Sequence, residues 1–168
     1  LSYQEYHDST YHPDIYNKDV IDKLKHFCLH YTKYFSSLVL NNYHEFPIKD
    51  SLVSKLWVDT LIISLSCANT LNIVLTPDNV NFNITEGKEG DINYNTILMM
   101  YYSESLFTLS KALDAYDHIE DYTIKPSLVT AINSFLLCVQ KYIYSSGISN
   151  FETLVNNRYG QIRDLRLS

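Results

Sequence analysis

The residues best placed to do chemistry in this sequence are one carboxylate and two imidazoles spaced four residues apart. Asp22, His26 and His30 fall at i, i+4 and i+8, so a helix here would present three candidate metal ligands on one face. The same face also carries Lys23 and Lys33, and it lies opposite the apolar stripe of the same helix. The pattern therefore favours a solvated polar face over a metal site.

A second loose group of polar residues lies near the beginning of the chain. His7, His12 and Asp14 occur among scattered tyrosines, without a sustained hydrophobic period. Surface residues of an irregular segment account for this group as well as a ligand set does. Residues 1–16 are predicted to form an N-terminal arm that drapes over the domain or over a partner.

One carboxylate falls inside an otherwise apolar helix. Asp59 lies in a stretch that is hydrophobic on nearly every side, and a buried carboxylate needs a partner. Lys55, one helical turn earlier, is the simplest partner. The pattern favours a structural ion pair over a catalytic acid.

The cysteines do not indicate nucleophilic catalysis. Cys28, Cys67 and Cys138 all lie in apolar helical runs, and their number is odd. That distribution is typical of buried, reduced thiols in an intracellular protein. No serine elbow and no glycine-rich phosphate loop occurs in the sequence, so no catalytic motif stands out.

Composition narrows the class of protein further. The 168 residues are 46% hydrophobic and 19% charged, as in globular domains, with a formal net charge of −6. A protein with this acidic net charge lacks the excess of basic residues that is typical of nucleic-acid-binding proteins. No uninterrupted apolar run approaches the roughly 18 residues that span a bilayer, and no signal peptide is evident. We expect a soluble, intracellular and most simply cytoplasmic protein, processed at its N-terminus because it begins with Leu1.

Two local charge runs depart from the average. Arg158, Arg163 and Arg166 cluster near the C-terminus, and an acidic run occupies residues 114–121. A solvated chain end accounts for the arginines, with phosphate binding as the alternative. A solvated loop accounts for the acidic run, with contact to a basic partner as the alternative.

The hydrophobic periodicity is helical along most of the chain. Stripes at three- and four-residue steps predict four long helices and a short fifth one, over about 17–42, 47–73, 93–117, 126–147 and 149–158. Pro126 suits a first helical turn, and Gly147 suits a C-terminal stop. The only strand-like alternation, Val80, Phe82 and Ile84, lies in the connection at 74–92. The fold class is therefore all-α, a bundle of four to five helices in a domain over 17–168.

Two segments of the chain are alike. Residues 48–56 (IKDSLVSKL) and 124–132 (IKPSLVTAI) are identical at five of nine positions, and each begins an apolar helix after a loop. The bundle is thus either two related helical hairpins or two hairpins with a similar pattern by coincidence.

The pattern of these helices resembles the all-α nucleoside triphosphate pyrophosphatases of the MazG-like and dimeric dUTPase-like group. Residues 58–73 (VDTLIISLSCANTLNI) look like the second metal-binding helix of that family, with Asp59 at its aspartate position. Residues 104–113 (ESLFTLSKAL) look like its first metal-binding helix, with Glu104 at one glutamate position. The resemblance implies helical hairpins that pair into a bundle and a Mg²⁺ ion held by Glu-Glu-x-x-Glu and Glu-x-x-Asp motifs.

The chain departs from those motifs at most metal-binding positions. Ser105 and Thr108 replace two glutamates of the first motif, and Leu56 replaces the glutamate before Asp59. Ser134 stands at the aspartate position of the second hairpin. Mg²⁺ needs several converging carboxylate oxygens, so a single carboxylate per hairpin predicts a bundle without that chemistry.

Three functions remain as hypotheses. The first is a non-enzymatic helical interaction or scaffold module that binds a protein partner or another copy of itself, without a cofactor. The missing catalytic set and the fifteen tyrosines, which suit interfaces, favour it. The second is a Mg²⁺-dependent nucleoside triphosphate pyrophosphohydrolase, with Asp59 and Glu104 as remnants of its site. The third is a viral or microbial helical decoy that occupies a groove of a host protein.

Overall fold

A computed structural model of the protein describes residues 2–43, 50–74 and 94–167. Within these ranges every regular element is an α-helix. The helices are α1 (Ser2–Tyr11), α2 (Pro13–Tyr16), α3 (Val20–Tyr43), α4 (Asp50–Thr70), α5 (Tyr94–Asp117), α6 (Ile124–Ser146) and α7 (Phe151–Leu167). The all-α class is confirmed, but the described part of the chain has seven helices where four to five were predicted.

Helix α3 forms where the apolar stripe predicted it. Phe27, Tyr31 and Tyr34 are buried along one face, one helical turn apart. The cap of this helix is Asp19, because its carboxylate accepts a hydrogen bond from the Asp22 backbone N–H at 2.8 Å.

Helix α4 is covered by other helices on several sides. Trp57, Val58 and Ala68 have almost no exposed surface, and α4 packs against α1, α3, α6 and α7. A helix that is apolar on all sides exposes the least hydrophobic surface to water when other helices surround it. Over Ser51–Thr70 it is also long and apolar enough to cross a membrane by length and composition, but 56% of that stretch is buried in the protein, as in a core helix.

The four long helices form a closed ring of neighbours. Helix α3 packs on α4, α4 on α6, α6 on α5 and α5 on α3. This arrangement is a four-helix bundle made from the hairpins α3/α4 and α5/α6. The relatedness of the two hairpins stays a prediction, and Ile48 and Lys49 of the first repeated block lie outside the described residues.

Aromatic side chains fill the centre of this bundle. The rings of Tyr31 and Phe135 stack 3.8 Å apart, and Tyr102 packs edge-on against both of them and against Trp57. The buried tyrosine hydroxyls have partners, since Tyr31 Oη lies 2.9 Å from the hydroxyl of Ser64. Many of the tyrosines therefore serve the core, because a satisfied hydroxyl lets a large ring be buried.

The N-terminal end of the chain adds the two helices that were not predicted. Residues 2–16 form α1 and α2 instead of an irregular arm, and α1 packs against α4 and α7. The two fully buried residues of α1 are Gln4 and His7, both polar, so a search for apolar periodicity finds no helix. Helix α7 continues nine residues past its predicted end at Arg158, to Leu167.

The predicted stop signal after α6 is confirmed. Gly147 follows the helix in the left-handed conformation, with φ of 63°. Ile119, after α5, adopts the same region with φ of 56°. A β-branched residue rarely adopts the left-handed conformation. Ile119 lies just after the end of α5, where a left-handed residue commonly terminates a helix. The strand-like alternation of Val80, Phe82 and Ile84 lies outside the described residues.

Candidate functional site

A cavity of about 370 Å³ lies between the N-terminal helices and the bundle. Side chains of α1, α2, α3, α4 and α7 line it, together with His12 between α1 and α2. The lining is mixed, with Phe27 and Ile62 among charged and polar groups. It includes four histidines: His7, His12, His26 and His30. A concave site with convergent polar groups is the usual form of a binding site.

His26 and His30 meet on the face of α3 that borders this cavity. Their Nε2 atoms are 3.1 Å apart, and the ring centroids are 4.6 Å apart. Both residues are half-buried, so the expected solvated face is partly covered, because α1 and α2 lie over it. Burial lowers the pKa of both histidines, that of His30 to about 4.

Asp22, the third candidate ligand, is placed elsewhere. It is exposed near the beginning of α3, in a shallow depression shared with Lys25 and Asp117. Its carboxylate does not join the ring nitrogens of His26 and His30 in a set of three ligand atoms within 4.8 Å. Two of the three candidate ligands therefore line the cavity and one does not.

His7 is the deepest of the four histidines. It is only 2% exposed, and neither ring nitrogen forms a hydrogen bond within the described residues. Its ring packs against those of Tyr11, His12 and Tyr159. Burial lowers the pKa of His7, and the opposing effect of the Asp8 charge is smaller.

His12 and Asp14 lie on the same side of the cavity as Arg166. The Arg166 guanidinium is 3.0 Å from Nδ1 of His12, so it donates to that nitrogen. It is also 3.8 Å from the Asp14 carboxylate. The C-terminal arginines are therefore not simply a solvated chain end, because α7 carries Arg158 and Arg166 to the cavity.

Asp59 is buried beside the cavity and is paired with Arg158. The arginine donates from Nε to Oδ1 at 2.6 Å and from Nη2 to Oδ2 at 3.3 Å. The predicted pair with Lys55 is wrong, since Lys55 is exposed. A guanidinium offers two donors in a fork that matches a carboxylate, which a lysine one turn away cannot provide.

The candidate pair of the enzyme hypothesis is not assembled. Glu104 is exposed on α5 and does not line the cavity that contains Asp59. The hydroxyls of Ser105 and Thr108, at two degenerate motif positions, donate to backbone carbonyls one turn back, those of Tyr101 and Glu104. The side chains at these two positions therefore form hydrogen bonds within α5.

An acidic cluster elsewhere on the surface has its own counter-charges. Asp114, His118 and Glu120 hold their ligand atoms within 4.8 Å of one another, and all three are exposed. Lys111 lies 2.7 Å from Glu120 and 3.5 Å from Asp114. The acidic end of α5 is therefore a solvated, partly neutralised surface.

The cysteines are free and do not reach the cavity. Cys67 and Cys138 are buried, and Cys28 is half-buried. Burial raises the pKa of the Cys138 thiol to about 12 and that of Cys67 further. Such thiols are protonated at neutral pH and poorly nucleophilic.

No protein-family model, no curated protein and no solved structure matches this chain. The family resemblance therefore depends on the residue pattern alone, and only its all-helical bundle is supported.

Proposed function

We propose that this chain is a non-enzymatic helical interaction module that binds a protein partner, either another subunit or a second copy of itself. The proposal depends chiefly on apolar side chains that point outward from the neighbouring helices α3 and α5. Leu29, Met100 and Phe107 are 69%, 65% and 68% exposed. We call these three residues the outer apolar group.

The two helices that carry this group are neighbours in the bundle. Cys28 Sγ on α3 is 3.4 Å from the Ser110 hydroxyl on α5; Leu29 directly follows Cys28, and Phe107 lies one turn before Ser110. Met100 lies two turns before Phe107 on the same face of α5. Methionine and aromatic residues are enriched in interfaces, and exposed apolar groups of this size are costly in water.

The state of Asp59 also supports a function without catalysis. Its carboxylate is held by Arg158, and Glu104 faces solvent on another helix. Mg²⁺ coordination needs several free carboxylate oxygens at one point. Among the described residues that line the cavity, no three such groups hold their ligand atoms within 4.8 Å of one another.

The test compares charge substitutions on two different helices. Phe107→Glu places a charge in the outer apolar group, and Tyr144→Glu places a charge at an aromatic residue of α6 that is 88% exposed. Sedimentation measures self-association, and a pull-down captures any other partner. We expect Phe107→Glu to remove the association and Tyr144→Glu to leave it intact.

The rival enzyme hypothesis is tested on the same protein. Mg²⁺-dependent release of pyrophosphate from a nucleoside triphosphate, lost in Asp59→Asn, would overturn the proposal. A partner that binds both variants equally would overturn the assignment of the outer apolar group. A partner from a foreign host, held by the same group, would favour the decoy hypothesis over an assembly subunit.

A further inference from the structure

The two histidines of α3 have the mutual geometry of a pair of metal ligands. Zinc–nitrogen bonds are about 2.0–2.1 Å, so two imidazole nitrogens on one tetrahedral ion lie roughly 3.3 Å apart. The Nε2 atoms of His26 and His30 are 3.1 Å apart. An ion placed between them would need only a slight separation of the rings.

We propose that His26 and His30 bind a divalent transition-metal ion, Zn²⁺, Cu²⁺ or Ni²⁺, which sits between their Nε2 atoms at the wall of the cavity. The site goes beyond the proposed interaction function and does not depend on it. Imidazole nitrogen selects these ions, whereas Mg²⁺ and Ca²⁺ require oxygen ligands. The ion is therefore different from the Mg²⁺ that the family resemblance implies.

The contact between the two Nε2 atoms, at 3.1 Å, is a hydrogen bond that holds one proton. A metal ion replaces that hydrogen bond by two nitrogen–metal bonds, which neutral imidazole can form.

A neighbouring hydroxyl orients one of the rings. Nδ1 of His30 lies 3.0 Å from the Tyr34 hydroxyl, whose oxygen can accept a hydrogen bond from Nδ1–H, so that Nε2 carries no hydrogen and is free to bind a metal. Lys33 Nζ, at 3.3 Å from the same Nδ1, favours the other tautomer. Metal binding thus selects the tautomer in which His30 donates to Tyr34, and the lysine turns to solvent.

The remaining coordination positions face the cavity. His12 and Asp14 line it as well. In the described structure Arg166 contacts both of them, so they are not preassembled as ligands. Water or a small exogenous ligand completes the sphere, and the cavity of about 370 Å³ has room for either.

The test uses the full chain without a histidine tag, freed of metal with a chelator. Calorimetric titration with Zn²⁺ and Ni²⁺ measures affinity and stoichiometry. We expect one ion per chain, and loss of that binding in His26→Ala and in His30→Ala. Tyr34→Phe retains the ligands but loses the orienting hydroxyl, and we expect affinity to fall by about 10-fold or more.

A matched variant separates this site from the exposed acidic cluster. His118→Ala removes the histidine beside Asp114 and Glu120, and we expect it to leave the affinity unchanged. Binding that persists in the double variant His26→Ala/His30→Ala, or that disappears in His118→Ala, would overturn the proposal. His30→Gln keeps a polar side chain of similar length, so it replaces His30→Ala if circular dichroism shows that the alanine variant unfolds.

Discussion

Arg158 donates two hydrogen bonds to Asp59 across a sequence separation of 99 residues. The pair joins α7 to α4 beside the cavity, with side-chain exposures of 18% for the arginine and 8% for the aspartate. It fixes a helix that has few buried residues of its own, since Phe151 and Tyr159 are the ones fully buried in α7. A charge pair therefore replaces apolar burial at this end of the protein.

Removal of the arginine should destabilise the protein strongly. Arg158→Ala leaves the Asp59 carboxylate buried without a partner, and we expect the free energy of unfolding to fall by about 3 kcal/mol. Denaturant unfolding followed by circular dichroism measures the change. Arg163→Ala is the control, because the Arg163–Asp164 pair is exposed and should contribute less than about 1 kcal/mol.

A double replacement distinguishes the pair from its isolated charges. Asp59→Leu/Arg158→Leu removes both charges together, and we expect a much smaller loss than in Arg158→Ala. Equal losses in the single and double variants would contradict the view that the unpaired carboxylate is the cause.

Tyr159 attaches the N-terminal helix to α7. Its hydroxyl donates to the Gln4 side chain, which in turn donates to Asp8 at 2.7 Å, and its ring packs on Tyr3 and His7. Tyr159→Phe leaves the Gln4 oxygen buried without this donor, at a cost of about 1–3 kcal/mol. Hydrogen exchange should therefore become faster in residues 2–16.

The control for this change is Tyr144→Phe, because Tyr144 is 88% exposed and its ring lies in solvent. We expect its exchange pattern to match the wild type. Exchange that accelerates equally in α5 and α6 of Tyr159→Phe would indicate global destabilisation and contradict a local role.

The sequence predicted the four bundle helices because their apolar stripes encode them directly. Phe27 and Tyr31, or Ile132 and Phe135, recur at helical spacing and are buried. The same periodicity did not predict helix α1, because its fully buried residues, Gln4 and His7, are polar. Their burial depends on partners in α7 and α4 that are far away in sequence.

The sequence predicted some of the residues that line the cavity, but not the helices that enclose it. His26 and His30 were singled out by their spacing, but the helices that cover them come from the two ends of the chain. The pairing of Asp59 with Arg158 was missed because local spacing suggested Lys55. The sequence shows Arg158 as a possible partner for a buried carboxylate, but it does not show which carboxylate the arginine contacts.

Acidification should destabilise the fold through its buried histidines. Burial lowers the pKa values of His7, His12, His26 and His30 in the folded state. The unfolded chain, with pKa values near 6.5, therefore binds more protons as the pH falls. The stability contributed by the neutral rings is complete above about pH 6.5 and is lost as the pH falls towards the folded pKa values. Thermal unfolding from pH 7.5 to 5.5 measures this slope.

Two variants assign the slope to particular histidines. His7→Phe keeps a ring against Tyr159 but cannot take up a proton, so we expect a shallower dependence on pH. The pKa of exposed His118 is raised by the Asp114 backbone and carboxylate, so His118→Ala should not reduce the slope. A slope unchanged by His7→Phe would show that His7 does not contribute to it.

Two glycines in helical surroundings should respond to alanine in opposite directions. Gly160 lies inside α7, and a methyl group there would meet no atom within 4 Å beyond the adjacent helix backbone and its chain neighbours. Gly160→Ala should raise the free energy of unfolding by about 0.5–1 kcal/mol, because alanine loses less backbone entropy in a helix. Gly147 also has open space around it, but its φ is +63°.

Gly147→Ala should therefore lower the free energy of unfolding by about 1 kcal/mol, because the left-handed conformation strains a side chain that the surrounding space would accept. The two variants add the same methyl group in equally open positions, so their difference isolates the backbone conformation. Denaturant unfolding of both proteins measures it. If both variants were more stable than the wild type, the end of α6 at Gly147 would not require the left-handed backbone conformation.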